Sequence, residues 1–213
     1  MTPVLLVYAL TTRSASRVTT AGLAGGRLQR ITVERIDAVV GEVARAPRPT
    51  ARNLTAYDRI VTSLWEGNAA VLPARFGTAV HNRAELEFIL RDRAKTLRDR
   101  LRIVRHRAQM TVRIVAPPSP FHLPPKPQSG RQFLELRAQT QRVPQFIPLR
   151  MAVRKWVKEE RMQKEGRVAT MYHLVPRAAV ERYRKTMARA AEQAGVHAIV
   201  SGPWPPYAFA ESW

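Results

Sequence analysis

The sequence contains no cysteine, which excludes disulfide bonds, cysteine nucleophiles and zinc sites with cysteine ligands. Long apolar runs are also missing. The best candidate, residues 3–10 (PVLLVYAL), is far shorter than the roughly 20 residues that cross a bilayer. No positively charged segment precedes this run, since the first cation is Arg13, so it does not resemble a signal peptide. We therefore expect a cytoplasmic protein with no membrane partner.

Acidic residues are scarce, with 16 Asp and Glu against 36 Lys and Arg, and the formal net charge is +20. A field of this sign attracts nucleic acid, acidic proteins or anionic membranes. The excess is spread over both halves of the chain instead of forming a basic tail. An Arg- and Ala-rich composition can also follow from genomic base composition, so the charge by itself does not identify a function.

Recognisable catalytic patterns are absent as well. There is no P-loop, no G-x-G-x-x-G and no G-x-S-x-G nucleophile elbow. The five histidines are scattered, without the i, i+4 spacing that favours metal binding on a helix. Glu159 and Glu160 fall in a segment with helical pattern, where neighbours point about 100° apart and do not form a catalytic pair. The sequence thus predicts no catalytic residue, metal or cofactor and favours a binding or assembly role, although residues distant in sequence could still meet in space.

One composition break divides the chain. Residues 116–130 (APPSPFHLPPKPQSG) include six prolines, which exclude a helix or a central strand and indicate a stiff connector. We predict an N-terminal domain over residues 1–116, a proline-rich connector over 117–130 and a C-terminal domain over 131–213. Strand-like and helix-like segments are mixed on both sides of the connector, so the fold class is α+β with two small mixed domains.

Local patterns predict the main elements. Residues 3–10 form a buried strand, and 28–33 with 36–43 form a hairpin. Asn53 begins one helix and Asn82 begins another, with Glu85 completing a capping-box pattern at the second. The second helix buries one continuous apolar stripe: Leu86, Leu90, Ala94, Leu97, Leu101 and Val104. Further predictions are strands at 109–115, 167–175 and 196–200, and helices at 151–164 and 176–194.

The densest basic segment is residues 91–107, with eight cations and two acidic residues. Its apolar stripe must face a core, so its arginines face solvent. No aromatic residues interleave with the cations, and no helix-turn-helix, RRM or KH signature accompanies them. The absence of aromatic residues and of a binding motif disfavours a nucleic-acid site. Because of the high positive charge, a basic nucleic-acid-binding protein stays the alternative function.

Two segments have a more specific pattern. In residues 71–77 (VLPARFG), Pro73 interrupts a strand, which places that strand at a sheet edge or at a bulge. In residues 201–207 (SGPWPPY), three prolines stiffen the chain around Trp204 and Tyr207. The aromatic rings of this second segment either close the core of their own domain or present a rigid surface to a partner.

These two segments resemble motifs of the gas vesicle GvpF/GvpL family. VLPARFGTAV is similar to that family's VLP-x-RFG-T strand, and VSGPWPPYAF is similar to its closing segment. The strand–helix pattern over residues 168–184 and the apolar first strand also fit the family. One departure is Tyr57 in LTAYDRI, where the resemblance leads us to expect a histidine before the acidic residue. The proline-rich connector and the high positive charge are further departures.

The resemblance implies an α+β protein of two domains, one of them ferredoxin-like, with no enzymatic activity. It implies a structural accessory protein that assists vesicle assembly through protein–protein contacts with the shell protein GvpA and with other accessory proteins. Its location would be the cytoplasm, in association with gas vesicles. One hypothesis is that the edge strand at residues 71–77 pairs with the apolar shell protein or shields it before assembly. The family-motif positions, taken as candidate partner contacts, are Leu72, Pro73, Arg75, Phe76, Gly77, Gly202, Trp204, Pro205, Pro206 and Tyr207.

Overall fold

A computed structural model describes residues 3–13, 21–115 and 143–210. The chain divides into two compact units, one made of Met1–Gln109 with Trp204–Trp213 and the other of Met110–Pro203. Each unit combines an antiparallel sheet with helices, which confirms the α+β class. The proline-rich connector lies outside the described residues. The domain boundaries and the ferredoxin-like topology therefore stay predictions.

The first unit contains a sheet in the order β2-β3-β1-β4, with β5 also paired to β1. Its strands are β1 (Val4–Thr12), β2 (Leu28–Val33), β3 (Ile36–Val43), β4 (Val71–Pro73) and β5 (Ala79–Val80). Its helices are α1 (Ala51–Glu66), α2 (Arg83–Asp92) and α3 (Ala94–Val104). The predicted first strand and the predicted hairpin are both confirmed, because apolar and β-branched residues there fit a buried pleated surface.

A β-bulge interrupts the pairing of β1 with β3. Val7 pairs with Val40 and Ala9 pairs with Val39, so Tyr8 has no partner residue on β3. A bulge of this kind frees main-chain groups from the ladder. The carbonyl oxygens near Tyr8 therefore need hydrogen-bond donors from outside the ladder of β1 with β3.

The predicted helices of this unit are confirmed with two differences in their boundaries. α1 begins earlier than expected, because the Thr50 hydroxyl accepts a hydrogen bond from the Asn53 amide at 3.3 Å and is the N-cap. The second predicted helix does start at Asn82, whose side chain accepts from the Glu85 amide at 2.9 Å. It is interrupted at Arg93 and continues as α3. All six residues of its predicted apolar stripe are buried.

The second unit contains a four-stranded sheet in the order β7-β8-β6-β9. Its elements are β6 (Arg107–Val115), α4 (Phe146–Val153), β7 (Glu159–Glu165), β8 (Val168–Pro176), α5 (Val180–Gln193) and β9 (Ala198–Trp204). α4 packs against α5, with Phe146, Leu149 and Tyr183 among the buried side chains. β6 thus shares a sheet with strands that follow the proline-rich segment in sequence.

The predicted helix over residues 151–164 is wrong. The chain leaves α4 at Val153 and forms the β7–β8 hairpin, in which Glu159 pairs with Leu174 and Glu165 pairs with Val168. Gly166 has a φ of +56° and, with Arg167, closes the turn between the two strands. β7 has no clear apolar alternation of its own, so pairing with β8 decides its conformation against helical propensity.

Candidate protein-interaction site

The first motif segment begins with β4, which lies at the end of the strand order as the proline predicted. Leu72 pairs with Leu10 and Pro73 pairs with Ala9 on β1. Leu72 is only 2% exposed, and Pro73 is also buried. β4 also lies against residues 207–209 at the end of the chain. The hypothesis that this strand offers a free edge to the shell protein is therefore not supported by its surroundings.

A turn follows β4 and reverses the chain toward β5. The Thr78 amide donates to the Arg75 carbonyl at 3.0 Å, and Gly77 has a φ of +86°, a region that glycine adopts without a steric penalty. Arg75 is exposed at this turn. The Phe76 ring packs edge-on against Tyr57, with centroids 5.2 Å apart. The turn therefore presents one cation to solvent while its aromatic residue faces α1.

The second motif segment starts in the last strand. Gly202 has a φ of +111° and precedes a cis peptide bond to Pro203. Its carbonyl accepts a hydrogen bond from the Arg184 guanidinium group of α5. Trp204 ends the strand with 44% of its surface exposed. It is the most exposed aromatic side chain of the two motif segments, because Phe76 and Tyr207 are both partly buried.

After Trp204 the chain packs into the first unit. Pro205 and Pro206 are buried, and the Tyr207 hydroxyl donates to the Asp58 carboxylate at 2.8 Å. The Ala208 amide donates to the side-chain carbonyl of Gln109 at 2.7 Å, and Phe209 is fully buried. Of the two interpretations offered by the sequence, closure of the core accounts for residues 205–209. Exposure to a partner remains open for Trp204 alone.

Two consecutive residues of α1 each contact one of the two motif segments. Tyr57 contacts Phe76 of the first segment, and Asp58 binds Tyr207 of the second. Burial first, and then the hydrogen bond and charge of Asp58, raise the pKa of Tyr207 above its ordinary value. The sequence indicated only that Tyr57 lies on the apolar face of a helix and departs from the expected histidine. The spacing of the two motifs along the chain gave no sign that α1 joins them.

The Tyr57 hydroxyl lies at the β-bulge of β1. It is 3.0 Å from the Val7 carbonyl oxygen, 3.2 Å from that of Tyr8 and 3.0 Å from that of Ala74. The Tyr57 ring also stacks on the Tyr8 ring, with centroids 5.2 Å apart. Burial is the main cause, and the neighbouring Tyr8 a second one, of a raised pKa for Tyr57. This single buried hydroxyl is therefore within hydrogen-bond distance of two carbonyl groups of β1 and of the Ala74 carbonyl. Ala74 directly precedes the turn at residues 75–78, which is called the motif turn.

A second polar cluster lies in the other unit. The Tyr183 hydroxyl is 2.7 Å from Nδ1 of His173, and Nε2 of that ring is 2.9 Å from the Glu160 carboxylate. Arg150 binds the same carboxylate, with Nη2 2.8 Å from its second oxygen. Burial alone would raise the pKa of Glu160, but His173 and Arg150 together hold it below its usual value. A carboxylate only accepts hydrogen bonds, so Nε2 of His173 carries a proton.

This cluster changes the interpretation of two residues. Glu160 lies on a strand, not on a helix, and so points to the opposite face from Glu159. His173 is completely buried, as is the Tyr183 side chain, so no substrate reaches the pair. The cluster ties α4, β7, β8 and α5 together within their unit. Sequence reasoning missed it because its members are spread over 34 positions of the chain, from Arg150 to Tyr183.

The basic segment at residues 91–107 is engaged largely in contacts within the chain. Arg91 binds Glu87 at 2.8 Å, Arg98 binds Glu34 at 3.0 Å and Arg102 binds Asp99 at 2.9 Å. The Arg107 guanidinium group donates to two main-chain carbonyl groups of its own segment. These ion pairs are exposed and each contributes little to stability, but they lower the positive field that a nucleic acid would meet.

The described parts of the chain contain no group of three His, Cys, Asp or Glu side chains that could hold a metal ion. No helix in those parts is both long and apolar enough to span a membrane. The described residues thus form an α+β protein in which Phe76 of the first motif segment and Tyr207 of the second both contact α1.

Comparison with known proteins gives the family. A family model described as gas vesicle synthesis protein GvpL/GvpF matches residues 4–146 and 135–211. The chain therefore belongs to the GvpL/GvpF family of gas vesicle proteins, and the resemblance predicted from its two motifs is confirmed. Membership gives the chain a gas vesicle accessory role. No curated protein matches it in sequence.

Two crystal structures share the fold. The gas vesicle protein GvpF from Anabaena has a TM-score of 0.76 and 15% identity, with 99% of this chain and 97% of that chain covered. GvpF from Microcystis aeruginosa has a TM-score of 0.77 and 12% identity, with 98% of this chain and 99% of that chain covered. At such low identity the comparison shows a common fold over the whole chain.

Proposed function

We propose that this protein is a non-enzymatic structural accessory protein that assists gas vesicle assembly in the cytoplasm by binding the shell protein GvpA and other gas vesicle accessory proteins. The match to the family model over nearly the whole chain is the observation that carries this proposal. The matches to two GvpF structures support it, because they cover both units. Among the described residues, no observation favours the alternative of a nucleic-acid-binding protein.

We further propose that the exposed residues of the two motif segments contribute to partner binding. Arg75 and Trp204 are the candidates, since both are exposed while Leu72, Pro205 and Pro206 are buried in the fold. Arginine and tryptophan are enriched among the residues that dominate binding energy at protein interfaces. The buried motif residues would then act indirectly, by holding the turn and the closing segment in place.

Deletion of the gene in its own host, scored by loss of cell buoyancy, tests the accessory role. Re-expression of the unaltered chain should restore buoyancy, and purified protein should retain GvpA when the two are mixed at low salt. A deletion strain that floats normally and forms normal vesicles would contradict the proposal. If GvpA is not retained in either order of mixing, direct contact with the shell protein is wrong even where buoyancy depends on the gene.

Single substitutions test the two motif candidates. Arg75→Ala and Trp204→Ala should each weaken GvpA retention several-fold. Arg75 is exposed and Trp204 is 44% exposed, so a thermal melt of each variant checks that the protein stays folded. Arg52→Ala and Phe88→Ala are matched controls, because they remove an exposed cation and an exposed aromatic ring elsewhere on the first unit. Equal losses in the candidates and the controls would show that the motif surface has no special part in binding.

A further inference from the structure

The exposed face of α4 has the composition of a binding surface. Ile147 is 55% exposed and Met151 is 66% exposed, one helical turn apart on the same face. The opposite face, with Phe146, Leu149 and Val153, is fully buried. Methionine adapts its flexible side chain to a partner's shape and is common at binding surfaces. The two exposed apolar residues are called the α4 ridge below.

Positive charge lies at the C-terminal end of the α4 ridge. Residues 146–158 (FIPLRMAVRKWVK) contain four cations and no acidic residue. Arg150 is occupied by Glu160, but Arg154, Lys155 and Lys158 are exposed at the C-terminal end of the helix. The ammonium group of Lys155 lies 4.5 Å from the Trp156 ring centroid, which holds the cation beside a partly exposed aromatic surface.

We propose that the α4 ridge and the cations at its end bind an acidic amphipathic segment of a partner protein, in which apolar residues are flanked by Asp or Glu. An acidic partner is proposed because its charge is complementary to the exposed cations Arg154, Lys155 and Lys158. A second copy of the chain would bring the same cations together, which repulsion opposes. An anionic membrane fits poorly, because a helix of eight residues with two large exposed apolar side chains inserts little surface. The inference rests on the proposed function, whose assembly partners it describes by their chemistry.

A methyl-labelled sample of the full chain provides a direct test. The probe is a synthetic helical peptide of about 18 residues with leucines at i, i+3, i+4 and i+7 and glutamates at the flanking positions. A matched peptide carries lysine in place of every glutamate. We expect the Ile147 δ1 and Met151 ε methyl signals to shift and saturate with the acidic peptide and to stay unchanged with the basic one.

Two paired substitutions separate the apolar and the electrostatic contributions. Ile147→Gln with Met151→Gln should weaken peptide binding by about tenfold or more. Arg154→Glu with Lys155→Glu should weaken it by a similar factor and remove most of its salt dependence. The controls Leu54→Gln with Phe88→Gln, and Arg52→Glu with Arg59→Glu, change equivalent exposed residues on the first unit and should leave affinity within about twofold.

Four results with purified components would overturn the inference. They are equal losses in the control pairs, equally tight binding of the basic peptide, the same methyl shifts on dilution of the protein alone, and stronger shifts with phosphatidylglycerol vesicles than with the peptide. The third result would assign the ridge to a second copy and the fourth to a membrane. In the host, the deletion strain should lose buoyancy. If a strain with both Ile147→Gln and Met151→Gln stays buoyant, binding through the α4 ridge is not needed for assembly, and the proposed function still stands.

Discussion

Replacing Tyr57 with phenylalanine removes one hydroxyl group from the centre of the first unit and leaves the ring in place. That hydroxyl lies 3.0 Å from the carbonyl oxygens of Val7 and Ala74 and 3.2 Å from that of Tyr8. The Tyr8 carbonyl keeps a second donor, the Ala74 amide at 2.9 Å, so the loss falls mainly on Val7 and Ala74.

The size of the effect follows from burial. Tyr57 is only 3% exposed, so water does not replace the lost donor at the carbonyl oxygens. A hydrogen bond contributes about 1 kcal/mol net, and an unsatisfied buried acceptor costs about 1–3 kcal/mol. Because the ring and its stacking on Tyr8 remain, we expect Tyr57→Phe to lower the free energy of unfolding by about 1–2 kcal/mol. In urea this corresponds to a fall of about 0.5–1 M in the transition midpoint.

Urea unfolding, combined with amide hydrogen exchange, measures this change. Exchange should accelerate most at the Ala74 amide, which donates to Tyr8, and at the Val7 amide, which donates to Thr78, because these two bonds fasten the two ends of the turn at residues 75–78 to β1. Tyr207→Phe is the control in the same unit. Its hydroxyl donates to an exposed carboxylate that water can solvate, so it should cost about 1 kcal/mol or less. The reasoning is refuted if Tyr57→Phe is no more destabilising than Tyr207→Phe, or if exchange near Ala74 is unchanged.

Three further substitutions test the remaining parts of the structure. Glu160→Gln should destabilise the second unit by about 1 kcal/mol near neutral pH. Since His173 and Arg150 hold the folded pKa of Glu160 below its ordinary value, its contribution is present above that ordinary value and is lost as the pH falls through the folded pKa. Urea midpoints that differ from the unaltered chain equally at pH 7 and pH 3 would contradict this. Gly77→Ala should cost about 1–2 kcal/mol, because φ is +86° although the space is open, and Gly67→Ala, at a φ of −80°, is the thermal-denaturation control. Asn82→Ala should cost about 1 kcal/mol through the lost N-cap, and an unchanged melting temperature would count against that cap.

Several features of the fold could be predicted because they depend on neighbouring residues. The hairpin of β2 and β3 follows from two β-branched runs separated by two residues. The helix start at Asn82 follows from a cap and a glutamate three positions later. The position of β4 at a sheet edge follows from a proline that cannot donate a hydrogen bond. In each case the physical cause lies within a few residues, where the sequence shows it directly.

The β7–β8 hairpin shows where local pattern fails. Residues 159–165 (EERMQKE) are good helix formers and have no apolar alternation. Their conformation is decided by the ladder with β8, which offers main-chain hydrogen bonds along seven paired positions. The same pairing turns Glu160 toward His173, so the polar cluster of this unit could not be predicted once the segment was assigned to a helix.

By itself, the sequence determined the family, the α+β class and the two motif segments, since these depend on residue types at fixed local spacing. Only the tertiary structure decided what the motifs do within the fold. It placed Phe76 against Tyr57 and joined Tyr207 to Asp58 across 149 positions of the chain. It also left Arg75 and Trp204 exposed while burying Ala74 and Pro205 beside them. Contacts between distant residues depend on which surfaces exclude water together, and no local pattern contains that information.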